Sequence, residues 1–331
     1  MTVLRLLFIL LLMSSAALAQ PVVWNNALIH VNDTALIHVN GNIEVNGTSG
    51  VVENDGRIHA RNSVQRADFW LTNNGSSSGN GEYRVQGDWI NDASFTADSS
   101  RVVLDGADQL ITGTNETEYH ILELDSSGTK TQTLDSRVNE KLILHDRELH
   151  TDVHTMTVLH TDTGAVENDL GYGTEGFVSS FSPGGLVRHM DTVLTYRFPL
   201  GDSLPIHRYR ELWVRPVNNA YHVYRAGLRN FDATNDGWDV SQHDSTLCSV
   251  NDQFWHEVHR DSGTADADIT LSFYQPVDGF FTTNAHWKTG LVQWTDIGND
   301  QVQSPLYHTI TSYGHNDFSH HAFALALITP E

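Results

Sequence analysis

The chain has 331 residues, 41 of them acidic and 19 basic, for a formal net charge of −22, and 39% of it is hydrophobic. That length allows about two domains of ~150 residues each, and the apolar fraction excludes wholesale disorder. The acidic balance excludes a nucleic-acid binder, which needs clustered Lys and Arg to displace counterions, and it opposes docking on anionic lipid.

Residues 1–19 read as a secretory signal peptide. Arg5 supplies the positive start, residues 6–13 the apolar stretch, and Ala17-Leu18-Ala19 the A-x-A cleavage pattern. The apolar stretch is too short for a membrane anchor, which needs about 20 residues. Removing Arg5 with the signal takes the net charge from −22 to −23. Nothing later is long and apolar enough to span a bilayer. The expected location is therefore secreted or cell-surface, with no membrane span after cleavage.

An internal repeat follows. Ala27-Leu28-Ile29-His30-Val31-Asn32 recurs identically as Ala35-Leu36-Ile37-His38-Val39-Asn40, and Ile43-Glu44-Val45-Asn46 echoes its second half. Alternating Ile-x-Val closed by Asn, with Gly or Asp after it, is a short strand ending in a turn. Looser copies run through Gly56-Arg57-Ile58-His59-Ala60, Glu82-Tyr83-Arg84-Val85 and Arg101-Val102-Val103-Leu104. Such short strands leave no room for crossover helices. They predict a right-handed parallel β-helix of five to seven coils over residues 20–190, each coil burying its apolar face on its neighbours. The turn residues Asn32, Asn40 and Asn46 are expected to stack as side-chain ladders.

Residues 164–185, rich in Gly and Ser, read as the last coil and connector. Beyond them aromatics become frequent and longer alternating runs appear, among them Glu211-Leu212-Trp213-Val214-Arg215 and Ala322-Phe323-Ala324-Leu325-Ala326-Leu327. These predict an Ig-like or jelly-roll-type β-sandwich over residues 191–331. The single cysteine, Cys248, excludes an intrachain disulfide and reads as a half-buried strand residue.

Several of these stretches carry a resemblance. Gly87-Asp88-Trp89-Ile90-Asn91-Asp92-Ala93-Ser94-Phe95 is similar to the G-x-W-x-N-x-G-x-F coil of exported surface proteins of Bacteroidetes-type bacteria. Val102-Val103-Leu104-Asp105-Gly106-Ala107-Asp108-Gln109-Leu110-Ile111-Thr112-Gly113 resembles their V-x-F-x-G-x-x-Q-x-I-x-G coil. Tyr196-Arg197-Phe198-Pro199-Leu200-Gly201-Asp202 resembles their F-P-V-G turn. The resemblance implies a β-helix stalk with a C-terminal sandwich, export by the type IX route, and a role as adhesin or envelope component. Phe318-Ser319-His320-His321-Ala322-Phe323-Ala324-Leu325 resembles their S-x-F-x-L strand, which a sorting module follows in that family; here the sequence runs to Glu331.

Candidate sites are few. Asp232-Ala233-Thr234-Asn235-Asp236-Gly237 reproduces positions 1, 3, 5 and 6 of a calcium loop, so Asp232, Thr234 and Asp236 are the candidate ligands for a structural calcium ion. His243 stands where the bidentate Glu belongs. Of the 19 histidines, His145, His150, His154 and His160 fall in one coil, but zinc needs three or four converging ligands and this group straddles turns. His256 and His259, an odd number apart, face opposite sides of a strand. The carboxylate pairs Asp105/Asp108, Glu116/Glu118 and Asp266/Asp268 read as solvated strand faces. The sequence has neither a G-x-S-x-G elbow nor a phosphate-binding Gly loop. No enzyme and no cofactor beyond that calcium ion are expected. The expected function is an exported, non-catalytic structural or adhesion protein whose partners are cell-surface components or extracellular polysaccharide. The alternative is a carbohydrate-binding or polysaccharide-cleaving β-helix protein.

Overall fold

The computed structural model describes residues 22–329, apart from 48, 61–70, 74, 172, 289, 299 and 303–306. The expected signal peptide lies outside the described residues. The first half is a parallel β-solenoid. Eight strands stack in parallel on its first face: Val22–Asn25, Ile43–Asn46, Leu71–Asn73, Trp89–Asn91, Gln109–Gly113, Thr129–Gln132, Glu148–His150 and Phe177–Ser179. A second face carries Leu28–Val31, Val51–Asn54, Ser76–Ser78 and Ser94–Phe95. The third carries Leu36–Val39, Arg57–Ala60, Glu82–Val85 and Arg101–Leu104. In the later coils, the strands Thr117–Leu124 and Ser136–Ile143 each pair over two stretches, with a register shift between Tyr119 and Ile121.

The identical repeat therefore marks two consecutive faces of one coil, not two stacked coils. Asn32, Asn40 and Asn46 lie at three different corners, so they do not stack on one another as expected; across coils, Asn46 is the register partner of Asn25. What does stack is the alternate, inward position of each strand. Ile37, Ile58, Tyr83, Val102, Leu122, Leu142 and Val166 are successive partners in one column. From Ile58 onward all of them are buried. Each such side chain contributes about 1.5–3 kcal/mol by leaving water.

The corners contain polar backbone that must find partners indoors. Inward amides supply them. Asn54 donates to Glu82 O and accepts from Gly56 N, Gln109 accepts from Gly106 N and donates to Val85 O, and Gln132 donates to Leu134 O and Thr155 O. Lys130, fully buried beside Gln109 in register, donates to the carbonyls of Gly106, Ala107 and Ser127 at 2.5–2.8 Å. Burial lowers its ammonium to about 8.

The strand Gly185–Met190 joins the two halves. It pairs in parallel with Thr155–Val158 of the solenoid and antiparallel with His222–Arg229, so one sheet runs on into the C-terminal half. There it continues through Trp255–Ser262, Ala322–Ile328, Thr283–Lys288 and Gln293–Asp296. A second sheet orders Tyr196–Phe198, Leu212–Pro216, Ala267–Phe273, His308–His315 and Gln301–Val302. The result is a sandwich-like domain of antiparallel sheets, as the alternating runs predict. Along Ala322–Ile328 the alternation is small against large. Phe323 and Leu325 enter the same apolar cluster as Ile269 and Val31, which extends through both halves, while Ala322, Ala324 and Ala326 leave room on the other face for Trp255, Trp287 and Trp294. Cys248 lies on the strand Leu247–Val250 but is exposed rather than half-buried.

Candidate binding cleft at the solenoid–sandwich joint

Thr129–Gln132 and Glu148–His150, the sixth and seventh strands of the first face, place Thr129, Thr131, Glu148 and His150 on its outer side. The turn resembling F-P-V-G brings the sandwich back against it: Val178 N donates to Pro199 O at 2.8 Å, and Val178 bridges to Leu200. Asp202 and its following loop thereby come to face Glu148. Between them lies a cleft of about 870 Å³, completed by Phe181, Leu204, Pro205, Leu228 and Phe231. Its wall is mostly apolar, and Phe181 and Leu204 are 52% and 73% exposed.

The polar groups form a short relay. Ser179 Oγ donates to Glu148 Oε1 at 2.5 Å and meets His150 Nδ1 at 2.9 Å, while Ser203 Oγ donates to Glu148 Oε2. The His150 ring meets Phe181 edge-on at 5.3 Å. Asp202 Oδ1 accepts from Leu204 N at 2.8 Å. Burial pushes the Asp202 carboxyl above the ordinary carboxylate range; the Leu204 N–H opposes this and the charge of Glu148 adds to it. The floor is pinned by Arg229, which donates to Ser180 O and to Glu257.

The calcium-loop residues lie behind this floor. Ala233–Asp236 is a turn of 3-10 helix in which Asp232 Oδ1 accepts from Thr234 N at 2.8 Å and Thr234 Oγ1 from Val240 N at 3.2 Å. Two of the three candidate ligands thus accept hydrogen bonds from backbone N–H groups of their own loop. Asp236 instead edges a hollow of about 280 Å³ with Ser182, Trp238, Trp255, Glu257 and His321. Among the described residues no three His, Cys, Asp or Glu side chains converge as a metal site of those types requires.

The histidines are placed individually. His145 pairs with Glu123, His154 with Asp135 and His160 with Glu140, each a carboxylate of the preceding coil. His256 and His259 do face opposite ways: His256 Nε2 donates to Arg210 O inside the sandwich, and His259 binds Glu257 and stacks on His321 at 3.6 Å. Two carboxylates read as solvated are buried and ion-paired instead, Asp105 with half-buried Arg84 and Asp268 with exposed Arg215. Alternation along a strand does not reveal which outward position a neighbouring strand will cover with an arginine.

No local spacing announces the cleft, because Glu148 and Asp202 meet only when the sandwich docks. A weak signal exists in Phe181-Ser182-Pro183 and Leu204-Pro205-Ile206, loops in which a large apolar residue sits beside or near proline, where burial is not expected. No family model, no curated protein and no solved structure matches the chain. No helix among the described residues is long and apolar enough to cross a membrane.

Proposed function

We propose that the chain is an exported, non-catalytic adhesion protein that holds an extracellular glycan in the joint cleft, with the solenoid as its stalk. The observation that carries this reading is the cleft itself: a large, mostly apolar groove with a few convergent polar groups, the usual make-up of a ligand site. Aromatic and aliphatic walls suit the C–H faces of sugar rings, and Thr129, Thr131, His150 and Asp202 supply partners for hydroxyls. The coil motifs that resemble those of exported surface proteins of Bacteroidetes-type bacteria, and the signal-like start, support the location.

The second reading, polysaccharide cleavage, is favoured by one observation: Asp202 is raised beside a second carboxylate, as a general acid would be. A glycan array followed by reducing-end assays separates the two. The adhesion reading expects retention of a glycan without release of ends, with retention lost in Phe181→Ala. Release of ends by the intact chain, abolished in Asp202→Asn, establishes the enzyme instead.

A further inference from the structure

The outer face of the five-stranded sheet carries a second hollow, about 330 Å³, lined by Thr195, Trp213, Arg215, Asp268, Thr270 and Thr311, with Tyr313. It is built by strand register. Trp213, Thr270 and Thr311 are successive cross-strand partners, and Arg215 is opposite Asp268 in the adjoining row. Tyr313 lies two residues beyond Thr311 and so on the same face. Trp213 and Tyr313 stand on strands separated by one other, two strand spacings or about 10 Å apart. They form two aromatic walls over a threonine floor.

The chemistry left open on this floor is specific. Asp268 Oδ2 accepts from Arg215 Nε at 2.8 Å and Oδ1 from Gly314 N at 2.9 Å, so the carboxylate is held on both oxygens and its charge is balanced by the guanidinium. Thr270 and Thr311 hydrogen-bond to each other through their hydroxyls at 2.8 Å, and each oxygen keeps further hydrogen-bonding capacity. The Tyr313 hydroxyl donates to Asp300 at 2.7 Å, which fixes its ring while leaving the residue exposed. A charged ligand finds only an ion pair of balanced charge here, and an apolar one leaves the hydroxyls unpaired, which costs free energy. A neutral, hydroxyl-rich ring meets both demands.

We infer that this hollow is a second saccharide seat, taking one neutral sugar ring between Trp213 and Tyr313 with its hydroxyls on Thr270 and Thr311. The inference shares its ligand class with the cleft reading but uses none of the cleft's residues. Two seats on one head make the protein bivalent toward a polysaccharide, which raises avidity without new contacts.

The test is calorimetric titration of the full chain and of Phe181→Ala, Trp213→Ala, Tyr313→Ala and Thr270→Val with neutral hexasaccharides (gluco-, xylo-, chito- and manno-series) and with a galacturonate hexamer. Trp213→Ala and Tyr313→Ala, made in the Phe181→Ala background, are expected to weaken neutral-sugar binding roughly tenfold or more, as loss of a central aromatic anchor does. Thr270→Val is expected to weaken it with the walls intact. Unchanged thermal melts show that these surface changes leave the fold alone. If Phe181→Ala binds as the intact chain does while Trp213→Ala abolishes binding, the sheet seat stands and the cleft reading falls. Three results overturn the inference: no neutral hexamer bound by the intact chain, tighter binding of the galacturonate hexamer, or indifference to Trp213→Ala and Tyr313→Ala.

Discussion

Lys130 shows how one inward residue holds a corner. Its ammonium replaces water for three carbonyls of neighbouring turns, Gly106, Ala107 and Ser127. Lys130→Met keeps the length of the side chain but strands those carbonyls, an expected loss of about 2–4 kcal/mol by urea unfolding. Lys141→Met removes only a surface pair with Glu167 and is expected to cost under ~1 kcal/mol. The motif around Trp89 is explained at the same scale. Trp89 is buried among Tyr83, Phe95 and Tyr119, with ring centroids 5.1–6.0 Å away, and its indole N–H donates to Thr117 Oγ1 at 3.2 Å. The residues carrying the family resemblance are therefore core and corner residues. They were legible as structure, and for the same reason they say little about a ligand.

Among the elements, the strand Gly185–Met190 has the most demanding position, with a solenoid strand on one edge and a sandwich strand on the other. Gly185 begins it at φ +153°, where a Cβ would lie 2.5 Å from Ala226 O. Gly185→Val is expected to destabilise by about 2–3 kcal/mol through backbone displacement and strain. Gly237, also at positive φ but with open space around it, separates the two causes: Gly237→Ala meets the backbone penalty alone and is expected to lose about 1 kcal/mol. Period-2 alternation made the existence of most strands readable before their partners were known. Pairing was not readable, because the copies beginning at Ala27 and Ala35 fit either two coils or two faces of one. Only the spacing of whole coils, set by loops of unequal length, decides between them. Asp202 and Glu148 illustrate the same limit for the cleft: each is an ordinary turn or strand carboxylate until the sandwich folds back.

For the whole molecule, two bulk responses follow from charge. Burial lowers His256 and His286 to about 4, with the carbonyls of Arg210 and His320 opposing the shift through hydrogen bonds to the ring N–H. The unfolded chain takes up these protons near pH 6.5 and the folded chain only near 4, so stability falls as pH drops through that window. At 1.36 kcal/mol per unit, each contributes a loss of at most about 3 kcal/mol. Glu257 behaves oppositely. Burial raises it, but the hydrogen bond from His259 and the charge of Arg229 prevail and hold it at about 2, so its contribution persists above about 4.5 and is lost as pH falls toward 2. Urea melts from pH 7 to 3 are expected to show the first loss flattened in His256→Gln and the second in Glu257→Gln. The net charge of −22 produces the other response. Screening shortens the Debye length from ~30 Å at 0.01 M salt to ~8 Å at 0.15 M, so the melting temperature is expected to climb with NaCl over that range.

Because each coil of the solenoid pairs only with the coil before and after it, the stack is indifferent to how many coils it contains. Eight strands on the first face make seven steps of about 4.8 Å, a rod of about 34 Å. Glu82 and Arg101 are register partners one coil apart, so excising residues 82–100, none of which lines the cleft, rejoins the chain at an equivalent point of the helix. The shortened protein is expected to keep the melting profile of its head and to lose one 4.8 Å increment in length, measurable by small-angle scattering. Reach is thus a digital quantity in this architecture, adjustable by whole-coil duplication or loss while the ligand-bearing end stays untouched.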